Sequence, residues 1–474
     1  MATLSASRQL PDRLALYAGG AALGAACGAA AAFTGLTALY LAASLVGCLF
    51  ILRDFRVGVV LLIVLMPLSA SRLFPHAMLG IIGLNPLNLL LGATLASYLL
   101  HGLFDGSIRR FLPRPLLWLY IVPILCAGAL GARHVGEIAP AFYMYELLHF
   151  HDAAGYLRDL VLRPLLLVLF ALLVAAAVSR SVHPEKFLIP ALLSLWVMSL
   201  MVVVFVIQSG ATPAELARSD SRSFLSPLGM HANDLGRLYA VAYALLLFTW
   251  VEAKPLHHRL ALLASMGLVV VALVLTFSRG AFFGFVVVNA LYVLWRCDLK
   301  TFVFFALLAA AVLLTLPAAV YDRIATGYGS GLDAISAGRV ESIWLPLLPE
   351  LLHSPVYGNG LGSILWSEVM RREGGLAMQA VGHPHNAYLQ ALLDMGAAGL
   401  ILLCAYFVHV WKGLRALSLD PSLSPVWRGF HRGAMAGLAS FLLAAVADSS
   451  LTPRPEQTFL WLAIGMMYGQ RARG

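Results

Sequence analysis

Residues 186–208 read KFLIPALLSLWVMSLMVVVFVIQ. After Lys186 the run holds no charge, and its only polar side chains are Ser194, Ser199 and Gln208. About 20 apolar residues span the ~30 Å hydrocarbon core of a bilayer. Inside lipid the backbone must satisfy its own N–H and C=O groups, so such a run has to be helical. About fourteen comparable stretches follow one another from 14–33 to 456–470, among them 35–52, 57–74, 280–296 and 300–319. The first two are short and close together, so twelve is the lower count.

The composition says the same. Of 474 residues 61% are hydrophobic and 12% charged, whereas a soluble chain carries about a quarter charged residues. A soluble, disordered or disulfide-scaffold protein is excluded. Cys27, Cys48, Cys126, Cys297 and Cys404 lie in or beside apolar runs and form no CxxC pair, which gives no disulfide or cysteine metal signal. The fold expected is an all-α polytopic helical bundle of about 12–14 transmembrane helices. It forms one integral membrane domain over 1–474, and 14–33 is read as an uncleaved first helix.

Charge gives the orientation, because Lys and Arg concentrate in cytoplasmic loops. With the N-terminus inside, about 19 of the 32 basic residues fall on the cytoplasmic side, including Lys186, Lys254, Lys300 and Lys412, all the lysines of the chain. The net charge of +9 therefore reflects loop asymmetry and not nucleic-acid binding. Both termini are expected in the cytoplasm. The long loops 132–158, 209–232 and 320–390 are expected outside, the last as short helices on the membrane face. About 13 arginines then remain on the outer side, against the rule, and call for a functional reason.

The sharpest local signal is Gly382-His383-Pro384-His385-Asn386, leading through Gln390 to Asp394. Asn386 is a favourable N-cap. The positive end of the helix dipole beside His385 favours a neutral imidazole able to accept a proton. Asn386, Gln390 and Asp394 are spaced four apart and make a polar stripe on one helix face. His383 and His385 have no third metal ligand nearby in sequence, so no metal is expected. A second signal is Arg339, with Trp344 after it and then Gly358-Asn359-Gly360-Leu361-Gly362. No strand precedes those glycines, so they do not make a nucleotide loop; they permit close backbone approach. Ser278-Arg279-Gly280 reads as a tight outer turn. Arg222 precedes Gly229, His231, Asn233 and Asp234, with Asn233 as the expected N-cap of the next helix and Arg237 one turn on, spaced to pair with Asp234. Arg158 and Arg163 are weaker candidates, mostly interfacial anchors. Arginine binds phosphate bidentately and stays charged at any working pH. Several arginines and one neutral histidine on one face therefore suit a lipid-linked diphosphate, and no outer loop has a DxD pair to hold it through a metal.

From about 215 to 400 the chain resembles the O-antigen ligase and polymerase superfamily of bacterial inner membranes. The likeness rests on the block from His385 to Gly399, the turn at Arg279, the Arg339–Trp344 block with its following Pro and glycines, and the Arg222–Gly229–Asn233 stretch. Asp394 stands where Glu is commoner in that family.

The resemblance implies a GT-C-like glycosyltransferase that takes glycan from undecaprenyl diphosphate at a periplasmic active site. In the ligase branch, which the chain's size, long outer loop and helix count favour, the acceptor is the lipid A core oligosaccharide. The polymerase and protein O-oligosaccharyltransferase branches share the motifs. A flippase or transporter is less compatible, since no repeat symmetry is visible. The roles implied are His385 as general base, Arg222, Arg279 and Arg339 on the diphosphate, and Asn386, Arg163 and Asp394 in support. No cofactor or metal is called for, and the partners are the glycan donor, the core acceptor and membrane lipid.

Overall fold

The computed structural model describes residues 36–71, 74–78, 81–105, 111–210, 228–315, 338–372, 381–447 and 450–473, with a few single residues between them. The expected first helix at 14–33 lies outside the described residues. The architecture is all-α, and the one strand pair among the described residues is Ala77–Met78 with Ile81–Ile82, two residues each and antiparallel. Eight described helices are long and apolar enough to cross a membrane. The other apolar runs form Leu36–Arg53, Phe55–Leu65, Arg279–Arg296, Leu299–Thr315 and Thr458–Arg471. The count of twelve to fourteen thus separates into eight full-length candidates and a set of shorter or more charged helices.

At the centre, Ala232–Glu252 packs along Pro425–Ala444. Gly429, Gly433 and Gly437 fall four residues apart on one face of the second helix. A Cβ at Gly429 would lie 2.5 Å from the Phe248 carbonyl oxygen, and one at Gly433 2.5 Å from that of Ala244. Hydrophobicity does not drive helices together in lipid, so close backbone approach over small residues provides the van der Waals contact instead. This pairing brings the start of Ala232–Glu252 and the end of Pro425–Ala444 to the same end of the bundle. At the opposite end Arg432 bonds Glu252 at 2.6 Å and lies 4.2 Å over the Trp295 ring.

Ala387–Leu419 is 33 residues long, about 50 Å at 1.5 Å per residue, well beyond the apolar core. It is broken at Gly396, which has φ 64° and ψ −171°. Ala397–Leu419 alone, about 35 Å by the same rise, suffices to span. The break frees backbone groups, and the 355–361 loop satisfies them. Asn359 and Gly360 donate to the Leu393 and Asp394 carbonyls at 2.8 and 3.0 Å, and Ala397 and Ala398 donate to those of Pro355 and Val356 at 2.9 and 3.0 Å. A Cβ at Gly358 would lie within 2.5 Å of the Asp394 backbone, so the close approach expected of this glycine run is its observed use.

The loop at 338–372 folds as short helices, Val340–Trp344, Leu345–Leu347, Leu348–Leu352, Ser363–Trp366 and Glu368–Arg371. Leu347, Ile364 and Trp366 from it pack with Phe142 and Tyr156 of the earlier loop and with Leu393. The turns at Leu117–Ile121, Leu157–Leu162 and Val340–Trp344 are π-helical. Each is followed, after one intervening residue, by a proline, Pro123, Pro164 or Pro346. A proline offers no N–H and its ring crowds the preceding turn, and a widened turn accommodates both.

Gly396→Ala should destabilise the protein by at least about 1–3 kcal/mol, since this φ/ψ region is essentially restricted to glycine. Gly92→Ala, where an added Cβ meets nothing within 4 Å, should stay within about 0.5 kcal/mol. Thermal unfolding in detergent checks the pair, and equal midpoints would show that the break is not a constraint.

Candidate active site

Two tight turns with the same local design lie at this end of the bundle. In the first, His385 has φ 52°, a left-handed conformation, and Asn386 after it is extended and caps the helix by accepting from the Tyr388 and Leu389 N–H groups at 3.1 Å each. The cap expected at Asn386 is therefore present. In the second, Phe277 has φ 48°, and Ser278 after it caps Arg279–Arg296. A left-handed residue other than glycine costs about 1–2 kcal/mol, and such strain persists only where the surroundings over-determine it. Here the left-handed residue followed by a cap turns the chain sharply at a helix entry.

The two turns are tied to the start of Ala232–Glu252. Ser278 Oγ donates to Asn233 Oδ1 at 2.9 Å. The N-cap of that helix is His231, whose Nδ1 accepts from the Asn233 N–H at 3.2 Å. This corrects the expectation of Asn233 as the cap; its side chain is engaged in holding the Ser278 turn. Arg237 pairs with Asp234 as its spacing indicates, and its Nη2 also lies 3.4 Å from Glu456. The Arg237 and Glu456 side chains are 11% and 6% exposed, so this charge network is largely withdrawn from solvent and each member depends on the others.

The His383 and His385 rings are 4.0 Å apart, centre to centre. Burial is the main force lowering both basicities, and nearby positive charge adds to it. His385 is held well below the ordinary imidazole value by burial, then by His383, Arg339, His231 and Arg237. His383 is lowered to about 4 by burial and by Arg454, with Arg237 and Arg339 contributing. His231 is lowered by burial, Arg237 and Arg339. Three histidines and three arginines thus share one electrostatic neighbourhood, and the imidazoles in it are neutral at physiological pH. Arg339 is anchored through Nη1 to the Ala447 carbonyl at 3.2 Å, and Trp344 Nε1 donates to the Pro384 carbonyl at 2.7 Å. A neutral imidazole beside fixed guanidinium groups can accept a proton while the guanidiniums hold an anion. Among the described residues no group of three or more His, Cys, Asp and Glu side chains is placed to hold a metal ion.

The charge of Arg339 reaches His385, and Arg279 stands half-buried next to Ser278. Arg222 lies outside the described residues. Arg163 is exposed at the start of its helix, where its charge falls on Asp159. Asp394 is buried, and its Oδ1 accepts from the Ser363 N–H and Oγ at 3.0 and 2.9 Å. It ties the glycine loop to the broken helix. His383 has its ring against His385. His231, Arg237, Arg454 and Glu456 were not singled out as site residues. For Arg237 and Arg454 a signal existed, because both are among the arginines left on the outer side by the charge rule.

The architecture and this cluster define a polytopic all-α membrane protein with a histidine–arginine site at one end of its bundle. Residues 264–404 match the family model described as O-Antigen ligase, a stretch that includes Arg279, Arg339, Trp344, His385 and Asp394. Over that stretch the chain is similar to the O-antigen ligase and polymerase superfamily, whose branches the match does not separate. No curated protein matches the chain.

Neither His383 nor His385 should titrate near pH 6.5 in the folded protein. Both imidazoles are neutral above their unfolded value of about 6.5. As pH falls below that value the unfolded chain takes up protons that the folded one refuses, so stability declines. NMR of ¹³C-labelled histidine in micelles, assigned with His383→Gln and His385→Gln, checks this. A midpoint near 6.5 for either ring would contradict the buried cluster.

Proposed function

We propose that the chain is a ligase-type glycosyltransferase. It moves O-antigen glycan from undecaprenyl diphosphate to a hydroxyl of the lipid A core oligosaccharide. The observation that carries this reading is the neutral His385 imidazole set against His383 and Arg339 in a turn of constrained geometry. The reaction needs those two properties together. The acceptor hydroxyl attacks the anomeric carbon of the donor sugar while the bond from that carbon to the diphosphate oxygen breaks, inverting the configuration. His385 takes the hydroxyl proton, a role worth about 10²–10⁴-fold. Arg339, with Arg279 and Arg222, holds the leaving diphosphate as its charge develops, each contact contributing about 2–4 kcal/mol.

The charge asymmetry supports an inner-membrane orientation with both termini cytoplasmic. The far end of the bundle carries Lys254, Arg296, Lys412, Arg432 and Arg471, and positive residues favour the cytoplasm. The histidine–arginine end then faces the periplasm, where a lipid-linked glycan awaits transfer. The electrostatic neighbourhood supports Arg237 and Arg454 as contributors to the field in which the diphosphate binds.

In transfer from undecaprenyl-diphosphate glycan to purified core acceptor, with chelator present, His385→Ala should abolish product and still bind donor. His383→Ala, which removes the packed neighbour, should retain measurable transfer. Arg339→Lys and Arg279→Lys should lose most activity although charge is kept, because lysine lacks the bidentate fork. The wild-type rate should stay flat from about pH 8 to about pH 5.5, past the ordinary imidazole value, since the base is already neutral there. Normal transfer by His385→Ala would remove its role as base. Product on carrier-linked repeats in place of core would move the protein to the polymerase branch.

Periplasmic signal from reporter fusions within 338–372 and cytoplasmic signal from fusions within 420–424 should accompany this. The reverse assignment would put the site on the wrong side for a periplasmic donor.

A further inference from the structure

The transfer chemistry gives Trp344 no task, although it ends the π-helical turn Val340–Trp344 for which Arg339 is the N-cap. Its side chain is half-buried against the loop core that contains Ile343 and Leu347. An indole is a donor only, and this one donates to the Pro384 carbonyl at 2.7 Å. That oxygen belongs to the peptide joining Pro384 to His385. The φ of His385 is the rotation about the bond leaving that peptide, so fixing the peptide plane fixes the reference from which its left-handed φ of 52° is set. On the other side Asn386 holds the helix through Tyr388 and Leu389. His385 is thereby clamped between a cap and an indole.

The other end of the same π-helical turn is also tethered, through Arg339 Nη1 to the Ala447 carbonyl at 3.2 Å. One short segment is thus bonded at both ends, to the end of Pro425–Ala447 and to the histidine turn. It joins the residue that carries the Arg339 guanidinium to the peptide that precedes the His385 imidazole. We propose that Trp344 is a positioning residue, its indole N–H holding the Pro384–His385 peptide so that the His385 ring stays in register with Arg339. The proposal rests on the glycosyl-transfer reading of the site, and it assigns Trp344 no contact with substrate.

The test replaces Trp344 with 3-benzothienylalanine, which keeps the bicyclic shape and lacks the N–H, alongside Trp344→Phe. In the transfer assay both should lower kcat by about 10- to 100-fold, since misplacing a reacting group by about 1 Å can cost about a hundredfold. The KM for undecaprenyl-diphosphate glycan should change by less than about twofold, because no donor contact is lost. Amide hydrogen exchange gives a readout that needs no turnover: residues 381–389 should exchange faster in the benzothienyl protein while 397–419 are unchanged. Wild-type kcat with unchanged exchange in the benzothienyl protein overturns the proposal, and so does a loss confined to KM. If the wild type transfers nothing while exchange at 381–389 still responds, the positioning stands and the glycosyl-transfer reading is what fails.

Discussion

The structure depends on a break in a helix and on the backbone that repairs it. In a membrane protein an unpaired backbone group costs several kcal/mol, so a helix can be interrupted only where other protein replaces the lost bonds. At Gly396 the replacement is the 355–361 loop, which exchanges four backbone hydrogen bonds with the helix on either side of the break. Asp394 adds a side-chain tie to Ser363. The consequence is positional. Ala387–Met395 is freed from the axis of the spanning helix, and His385 at its entry is carried by the loop and the break together. A straight helix would have no reason to hold the histidine turn against Arg339.

Electrostatics acts on that scaffold. His231, His383 and His385 come from two helix entries remote in sequence; Arg237 shares the first of them, and Arg339 and Arg454 come from two further positions. Burial raises the cost of a charged imidazole, and the guanidiniums raise it further. Arginine stays charged throughout, so the site keeps fixed positive charge beside neutral bases. Arg237 could not be kept in so withdrawn a position alone; Asp234 and Glu456 balance it. The cluster thus keeps net positive charge at one end of the bundle with Arg237 balanced by carboxylates, while the opposite end carries the basic residues of the loops.

Much of this was legible in the sequence. Run length and the lack of charge dictated helices, because lipid permits no other spanning element here. Asn386 before an apolar run identified a cap, and the Asp234–Arg237 spacing identified an ion pair. The glycines at 358–362 signalled close backbone approach, His385 stood out by its place at the entry of the helix that Asn386 caps, and Arg339 by its placement against the charge rule. What was missed is of another kind. His231 displaced Asn233 as the cap because Asn233 is engaged by Ser278 Oγ, a contact 45 residues away in the chain. Glu456 carries no local signal, since its partner Arg237 is 219 residues distant.

The sequence by itself determined that the chain is an all-α polytopic membrane protein, that Asn386 caps its helix, and that Asp234 and Arg237 pair. These follow from local composition and spacing, and from a solvent that leaves the backbone a single solution. Only the tertiary structure decided that Gly396 breaks a continuous apolar run, that Asp394 lies buried beneath a loop, and that His383 rests on His385. Those outcomes depend on which distant backbone supplies a hydrogen bond or a close packing face, and small residues such as Gly429 and Gly433 show their purpose only once the partner helix lies against them.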